Sequence, residues 1–504
     1  MQKRMLTIIC LFLLIFSHAQ KATIQGRIEM GTIHELSLFR LANKMNGPFG
    51  NEQYFQQIPI KDGKFQIELS VNNSEMMFLS GWDTVSNHSF SQPLFIKNGY
   101  RLNMVFRFNG TEYITTTTGI GNSDNRHLSV SKYEGLEEQR EQKDTIPDKV
   151  LNYLYTEFAK DSIAISKYMA NNNPSLEFKE AWKQELQYLV LSKYYAFEEE
   201  RKFYMRDSYK RNIDAWKKPL NEMLARVPLS NDAAINVHAY LSFIDDYLLR
   251  TKESIVETTQ TDLAGVLKEW YGFDNTDQKR EMFDDIDNRL RQKIVEKKFT
   301  GKTKEFMYAT IIEHALTGEL IANMGDIYQT FTRQFPDSRY RARFDEPVSL
   351  MLQKMKTPLS DKMVFVPGDT TIKSFEEVLA IVKGKTVLLD MWGTWCGPCR
   401  EEISKNGKAL KSYFKGKGLD YLYVSNFDIG QEKKWKELIA YLDMEGQHLM
   451  ANYKLTQDIM GKLKGNGYPT YAIIHKDGTY ELSKAGYPMD RQKLIEQIEE
   501  ALKK

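Results

Sequence analysis

The chain has 504 residues, with 69 Lys or Arg against 67 Asp or Glu, which excludes a single ordinary core and implies about two to four domains. The near-balance of charge leaves no overall field favouring nucleic acid or an anionic membrane surface, and an aromatic content of 12% excludes wholesale disorder.

At the N-terminus, Lys3 and Arg4 precede an almost unbroken apolar run from Met5 to Phe16. Ser17, His18 and Ala19 follow, offering small residues before Gln20. This pattern predicts a secretory signal peptide over residues 1–19, cut after Ala19. The apolar core is about 12 residues, short of the roughly 20 that span a bilayer, so no stable membrane span is expected after cleavage. Cys10 is preceded by Ile9 where a lipoprotein site wants a small residue. Of three cysteines the mature chain would keep only Cys396 and Cys399. In an oxidising compartment, that count implies a fold independent of any disulfide framework.

Residues 20–133 read as an antiparallel β-sandwich. Phe65, Ile67, Leu69 and Val71 alternate with polar residues after the turn Lys61-Asp62-Gly63, and Leu102, Met104, Phe106 and Phe108 do so after Asn98-Gly99. Gly119 to Asn125 closes the segment as a loop. The period changes over 134–355, where Leu151, Leu154, Tyr155 and Phe158, then Val237, Leu241, Ile244 and Leu248, fall at helical spacing. This predicts an all-α domain of several hairpins, with Ser175, Ser230 and Asn231 as candidate N-caps. The aromatic run around Tyr194, Tyr195, Phe197, Phe203 and Tyr204 reads as core rather than a ligand platform, and the charge run from Glu198 to Lys202 as a solvated face.

Pro358, Pro367, Gly368 and Asp369 mark a linker over 356–372. Residues 373–504 then read as α/β. Helices are expected over 374–382, to about 414, over 432–442, 455–463 and 490–502, with buried strands at 386–392 and 419–424. Lys476-Asp477-Gly478-Thr479 is a hairpin turn adding an antiparallel edge.

The chemistry is concentrated in Lys385 to Glu402. Val387, Leu388 and Leu389 suit a strand buried on both faces; Gly393 and Thr394 turn, and Trp395-Cys396-Gly397-Pro398-Cys399 opens a helix. Cys396 would sit at the positive end of the helix dipole, where a thiolate is favoured, and the two-residue spacing brings the sulfurs within bonding reach. Half of a zinc site and an inert structural staple are the alternative readings of a bare Cys-x-x-Cys. Neither fits well, because no second Cys-x-x-Cys and no convincing His pair accompany it.

Trp395-Cys396-Gly397-Pro398-Cys399, the preceding Leu389-Asp390-Met391-Trp392 and the later Tyr468-Pro469-Thr470 resemble the thioredoxin superfamily, and within it the TlpA-like thiol–disulfide oxidoreductases of the bacterial envelope. The resemblance covers roughly the last 140 residues of the chain. It implies a central sheet with helices on both faces, and a cis-proline loop at Pro469 lying against the cysteines. Many relatives carry a kinking proline early in the active-site helix, where this chain has Ser404. By position, Cys396 is the exposed attacking thiolate, Cys399 the buried resolving thiol, and Asp390 stands where the family keeps a buried proton acceptor. Trp395, Gly397, Pro398, Tyr468 and Pro469 would meet the substrate, with the Tyr468 backbone pairing to an extended segment. Gly393, three residues before Cys396, is not the Thr or Ser of a peroxidatic loop, and His448 and His475 read as ordinary residues.

The function implied is a periplasmic or envelope reductase of protein disulfides, needing no metal or other cofactor and itself reduced by a membrane thiol reductase. A disulfide isomerase or oxidant would use the same pair. The contrasting class is a binding or assembly protein in which the redox domain is secondary.

Overall fold

A computed structural model describes residues 21–30, 33–40, 55–71, 74–85, 87–128, 130–131, 133, 135–140, 146–205 and 207–503. The leader expected over 1–19, with Cys10, lies outside these residues, as do the side chains of Lys202 and Phe203. The chain divides into two compact units, Met1–Tyr247 and Leu248–Lys504. The division falls inside the helical stretch that the sequence assigns to one domain.

The first unit begins with eight strands: β1 (Ala22–Met30), β2 (Glu35–Arg40), β3 (Phe55–Pro59), β4 (Lys64–Leu69), β5 (Ser74–Asp83), β6 (His88–Lys97), β7 (Arg101–Phe108) and β8 (Tyr113–Ile120). They form two four-stranded sheets, ordered β4-β1-β7-β8 and β3-β2-β5-β6, around one apolar core. The alternation in β4 and β7 puts Phe65, Ile67, Leu69, Leu102, Met104 and Phe106 inside. The expectation of a purely antiparallel sandwich is corrected at one pairing. β1 runs parallel to β7, with Ile24 opposite Leu102, because the two strands are far apart in sequence and no hairpin dictates their sense.

Helices follow: α1 (Gly135–Arg140), α2 (Pro147–Asn172), α3 (Leu176–Met205), α4 (Asp207–Arg211), α5 (Ile213–Leu224) and α6 (His238–Tyr271). Tyr194, Tyr195 and Phe197 are buried, whereas Tyr204 is exposed. Tyr155 is exposed too; the inward face of α2 runs through Val150, Leu154, Ile165 and Tyr168. The charge run is not a solvated face throughout. Glu198 and Arg201, three apart and so on one side of α3, are buried: Tyr209 donates to Glu198, and Arg201 donates to the Gln139 carbonyl at 3.2 Å.

The second unit continues with α7 (Lys279–Phe283), α8 (Asn288–Lys298), α9 (Gly301–Thr317), α10 (Met324–Gln334) and α11 (Arg341–Lys354). Then come β9 (Met363–Phe365), α12 (Phe375–Ile381), β10 (Thr386–Trp392), α13 (Gly397–Phe414), β11 (Leu419–Asn426), α14 (Glu432–Tyr441), β12 (Gly446–Ala451), α15 (Tyr453–Leu463), β13 (Thr470–Ile474), β14 (Tyr480–Leu482) and α16 (Arg491–Lys503). The six-stranded sheet is ordered β14-β13-β10-β11-β12-β9; β10, β11, β12 and β9 are parallel, and β13 runs antiparallel to both of its neighbours, β10 and β14. Sequence reading missed β12, and it placed β9 in the linker. Gly446-Gln447-His448 has no apolar run to announce a strand, and β9 is three residues long.

Every residue of β10 is buried. Val387, Leu389 and Met391 pack with α12 and α15, and Leu388 packs with α13 and α16, so Asp390 faces the α13 side by the period of two. Gly446 opens β12 at φ +143°, and an added Cβ would stand 2.8 Å from the Tyr421 carbonyl oxygen. Gly446→Ala is expected to cost roughly 1–3 kcal/mol, read as a lower urea midpoint for this unit. An unchanged midpoint would contradict the placement of β12 against β11.

Candidate active site

The active-site loop leaves the carboxyl end of β10 and enters α13 through Cys396, which is the N-cap; Pro398 sits in the first turn. Cys396 and Cys399 are disulfide-bonded, with Cα atoms 5.3 Å apart. The Cys399 backbone N–H donates to Cys396 Sγ at 3.2 Å, so the sulfur itself serves as the cap. The expectation that Cys396 is exposed is corrected. It is 3% exposed and Cys399 fully buried, because the cap bond and the disulfide both turn Cys396 Sγ inwards.

Trp395 is instead the surface residue of the motif, at 46% exposure. Its indole N–H donates to the Asn426 carbonyl at 2.9 Å, and its ring meets Tyr468 edge-on at 5.5 Å. The Tyr468–Pro469 bond is cis, as the resemblance implies. An added Cβ on Gly393 would stand 2.4 Å from the Trp395 indole nitrogen, so only glycine lets the indole fold back there.

Groups unmarked in the sequence hold this loop. The buried Asp428 carboxylate accepts from the Thr394 N–H at 3.0 Å and from the Thr394 hydroxyl at 2.6 Å, and Asn426 donates to the Trp392 carbonyl. Both arrive from the end of β11 and the turn after it. No spacing signal announces them, because only the parallel pairing of β10 with β11 brings them near.

Asp390 is buried in mid-strand, and burial, with the nearby Glu402 charge, raises its pKa from the ordinary 3.8 to about 8. Its Oδ1 has no hydrogen-bond partner among the described residues. Asp390 and Glu402 line a cavity of about 20 Å³ with Tyr421, Tyr423 and Tyr471; neither cysteine lines it. Glu402 accepts from the Met489 N–H at 3.2 Å and from Asn406 at 2.6 Å. It stands one turn after Cys399, and helical spacing from the motif would have found it. His448 is core: stacked on Tyr423, bonded to the Met444 carbonyl at 2.7 Å, and pushed by burial to a pKa of about 4. His475 is buried, 3.4 Å from Glu481.

A buried Cys-x-x-Cys disulfide at a helix N-terminus, a cis-proline loop beside its tryptophan and a mixed sheet define a thioredoxin-like domain. Residues 376–502 match the Redoxin family model, and the chain carries a Redoxin domain there. The chain is similar to the thiol-disulfide oxidoreductase ResA of Bacillus subtilis, 39% identical over 74 residues, covering 15% of this chain and 38% of that protein. It is also similar to the thioredoxin-like protein YneN of the same organism, 33% identical over 120 residues, covering 22% of this chain and 62% of that protein. The chain thus spans 38% of the length of the first of these relatives and 62% of the second. Among solved structures, the thioredoxin domain of a thiol-disulfide oxidoreductase from Bacteroides vulgatus is 24% identical, covering 24% of this chain and 82% of that one, at a TM-score of 0.21.

The raised pKa of Asp390 has a thermodynamic consequence. The stability tied to its neutral form is fully present below about pH 4 and is lost as pH rises through about 8. Asp390→Asn keeps the site neutral, so its urea stability should fall less between pH 5 and 9, by on the order of a few kcal/mol. Parallel pH profiles for the two proteins would show that the carboxyl is not held neutral in the fold.

Proposed function

We propose that the protein is an exported thiol–disulfide oxidoreductase that reduces protein disulfides in the cell envelope. The observation that carries this reading is the Cys396–Cys399 disulfide capping α13 next to the cis-Pro469 loop. The Redoxin match and the similarity to oxidoreductases of that name support it. In the reduced protein the Cys396 thiolate attacks a substrate disulfide, forming a mixed disulfide and releasing one substrate thiolate. Cys399, losing its proton to the fraction of Asp390 that is ionised, attacks Cys396 Sγ, releases the second thiolate and closes the observed bond. An external dithiol, supplied by a membrane thiol reductase, returns the two electrons. Trp395, Gly397, Pro398 and Pro469 form the receiving surface, and the Tyr468 backbone pairs with the substrate segment.

Export rests on the basic and apolar pattern of residues 1–19. Among the described residues no helix is long and apolar enough to cross a membrane. N-terminal sequencing of the protein from its native cell should find Gln20 first; an intact Met1 would remove the export reading.

Cys396→Ser should abolish disulfide reduction, whereas Cys399→Ser should accumulate mixed disulfides through Cys396. Asp390→Asn should slow resolution with attack nearly intact, and the deficit should shrink as pH rises above about 8. Faster alkylation of Cys399 than of Cys396 in the reduced protein would reverse the assignment. The burial of Cys396 favours one second reading, a binding or assembly protein with a covered redox pair. Absence of any trapped partner on Cys399→Ser would support it.

A further inference from the structure

We propose that the turn after α9, through Gly318 and Glu319, is a working part of the redox centre, with Arg400 the positioning residue that ties it to the Cys396 loop. This rests on the thiol–disulfide reading and adds a helical partner to that site. Arg400 follows Cys399 in the first turn of α13, yet it is only 4% exposed. Its Nε donates to the Gly318 carbonyl at 2.8 Å, and its Nη1 donates to the Thr394 carbonyl. Nη2 lies 3.8 Å from where a Cβ on Gly397 would stand. One guanidinium therefore joins the C-cap of α9, where a cation is favoured, to the Thr394 carbonyl two residues before Cys396.

Glu319 makes a second tie. Its carboxylate accepts from the Ser404 hydroxyl of α13 at 2.6 Å and from the Tyr441 hydroxyl of α14 at 2.5 Å. The residue holds φ +50°, a conformation that a non-glycine keeps only where its surroundings impose it. A cavity of about 380 Å³, bordered by Thr394, Arg400 and Glu319, lies behind the loop. Support on that side is therefore made by these few polar contacts rather than by close packing. Burial lowers the pKa of Arg400, and the charges of Asp287, Glu319 and Asp428 oppose that shift. A fixed cation beside Gly397 favours the Cys396 thiolate, and a fixed Thr394 carbonyl keeps its sulfur at the helix end.

The test uses the full chain, reduced with dithiothreitol, with the rate of iodoacetamide alkylation at Cys396 followed by peptide mass spectrometry from about pH 5 to 9. Arg400→Gln should move the alkylation midpoint up by about one pH unit, slowing the reaction about tenfold at neutral pH. Arg400→Lys, which keeps the charge and loses the fork, should recover part of that shift. Ser404→Ala with Tyr441→Phe removes the second tie and leaves every charge in place, and it should shift the midpoint less, in the same direction. Folding of each variant is checked by circular dichroism and melting; if Arg400→Gln does not fold, the Ser404→Ala/Tyr441→Phe pair decides. Folded variants with the wild-type profile would overturn the proposal and leave these contacts as packing alone. Alkylation needs no turnover, so a wild-type protein with a low midpoint that reduces no disulfide would sink the functional reading separately.

Discussion

The constraint on which the second unit depends is the burial of β10 along its whole length. A strand covered on both faces must have helices above and below it, and here α12 with α15 take one side and α13 with α16 the other. Parallel pairing with β11 then sends the chain out at the carboxyl end of the strand, where the next helix presents its unpaired N–H groups. The cysteines stand there as a consequence of that topology. The same burial keeps a carboxyl neutral in mid-strand, since ionising a desolvated Asp390 beside the Glu402 charge would be costly.

Around the sulfurs, rigidity comes from directed polar bonds rather than from packing volume. The Asp428 carboxylate takes two donors from Thr394, and Asn426 both gives to the Trp392 carbonyl and receives from the Trp395 indole. Arg400 reaches the same short loop from the far side. Five consecutive residues, 392 to 396, are thus each held by at least one named group, with the Cys396 N–H closing back onto the Gly393 carbonyl at 3.0 Å. Such preorganisation lowers the cost of presenting a thiolate in one geometry.

The features legible in the sequence were those written as local periods or short motifs. The alternation of Phe65, Ile67 and Leu69 and the apolar run at Val387 needed no partner to be read. What stayed hidden depends on contacts between distant segments. The parallel β1–β7 pairing, the burial of Glu198 and Arg201, and the grip of Asp428 on Thr394 are set by tertiary neighbours. β12 escaped because its pattern is polar at one end and its place is given by β11. The burial of Cys396 was unreadable for a different reason: the motif fixes which atoms meet, not which way the sulfur turns once it caps the helix.

Position 319 sets two demands that no single side chain meets without cost. The left-handed backbone there is easiest for glycine or asparagine, but neither reaches two hydroxyls on separate helices as the glutamate does. Drift toward the conformationally easy residues would relax the turn and release α13 and α14 together. Drift toward other long side chains would keep the strain and lose the charge. A glutamate in that turn, paired with an arginine directly after the second cysteine, therefore forms a two-residue signature. Its presence or absence in other chains would sort those whose helices brace the redox loop from those whose thioredoxin-like domain stands alone.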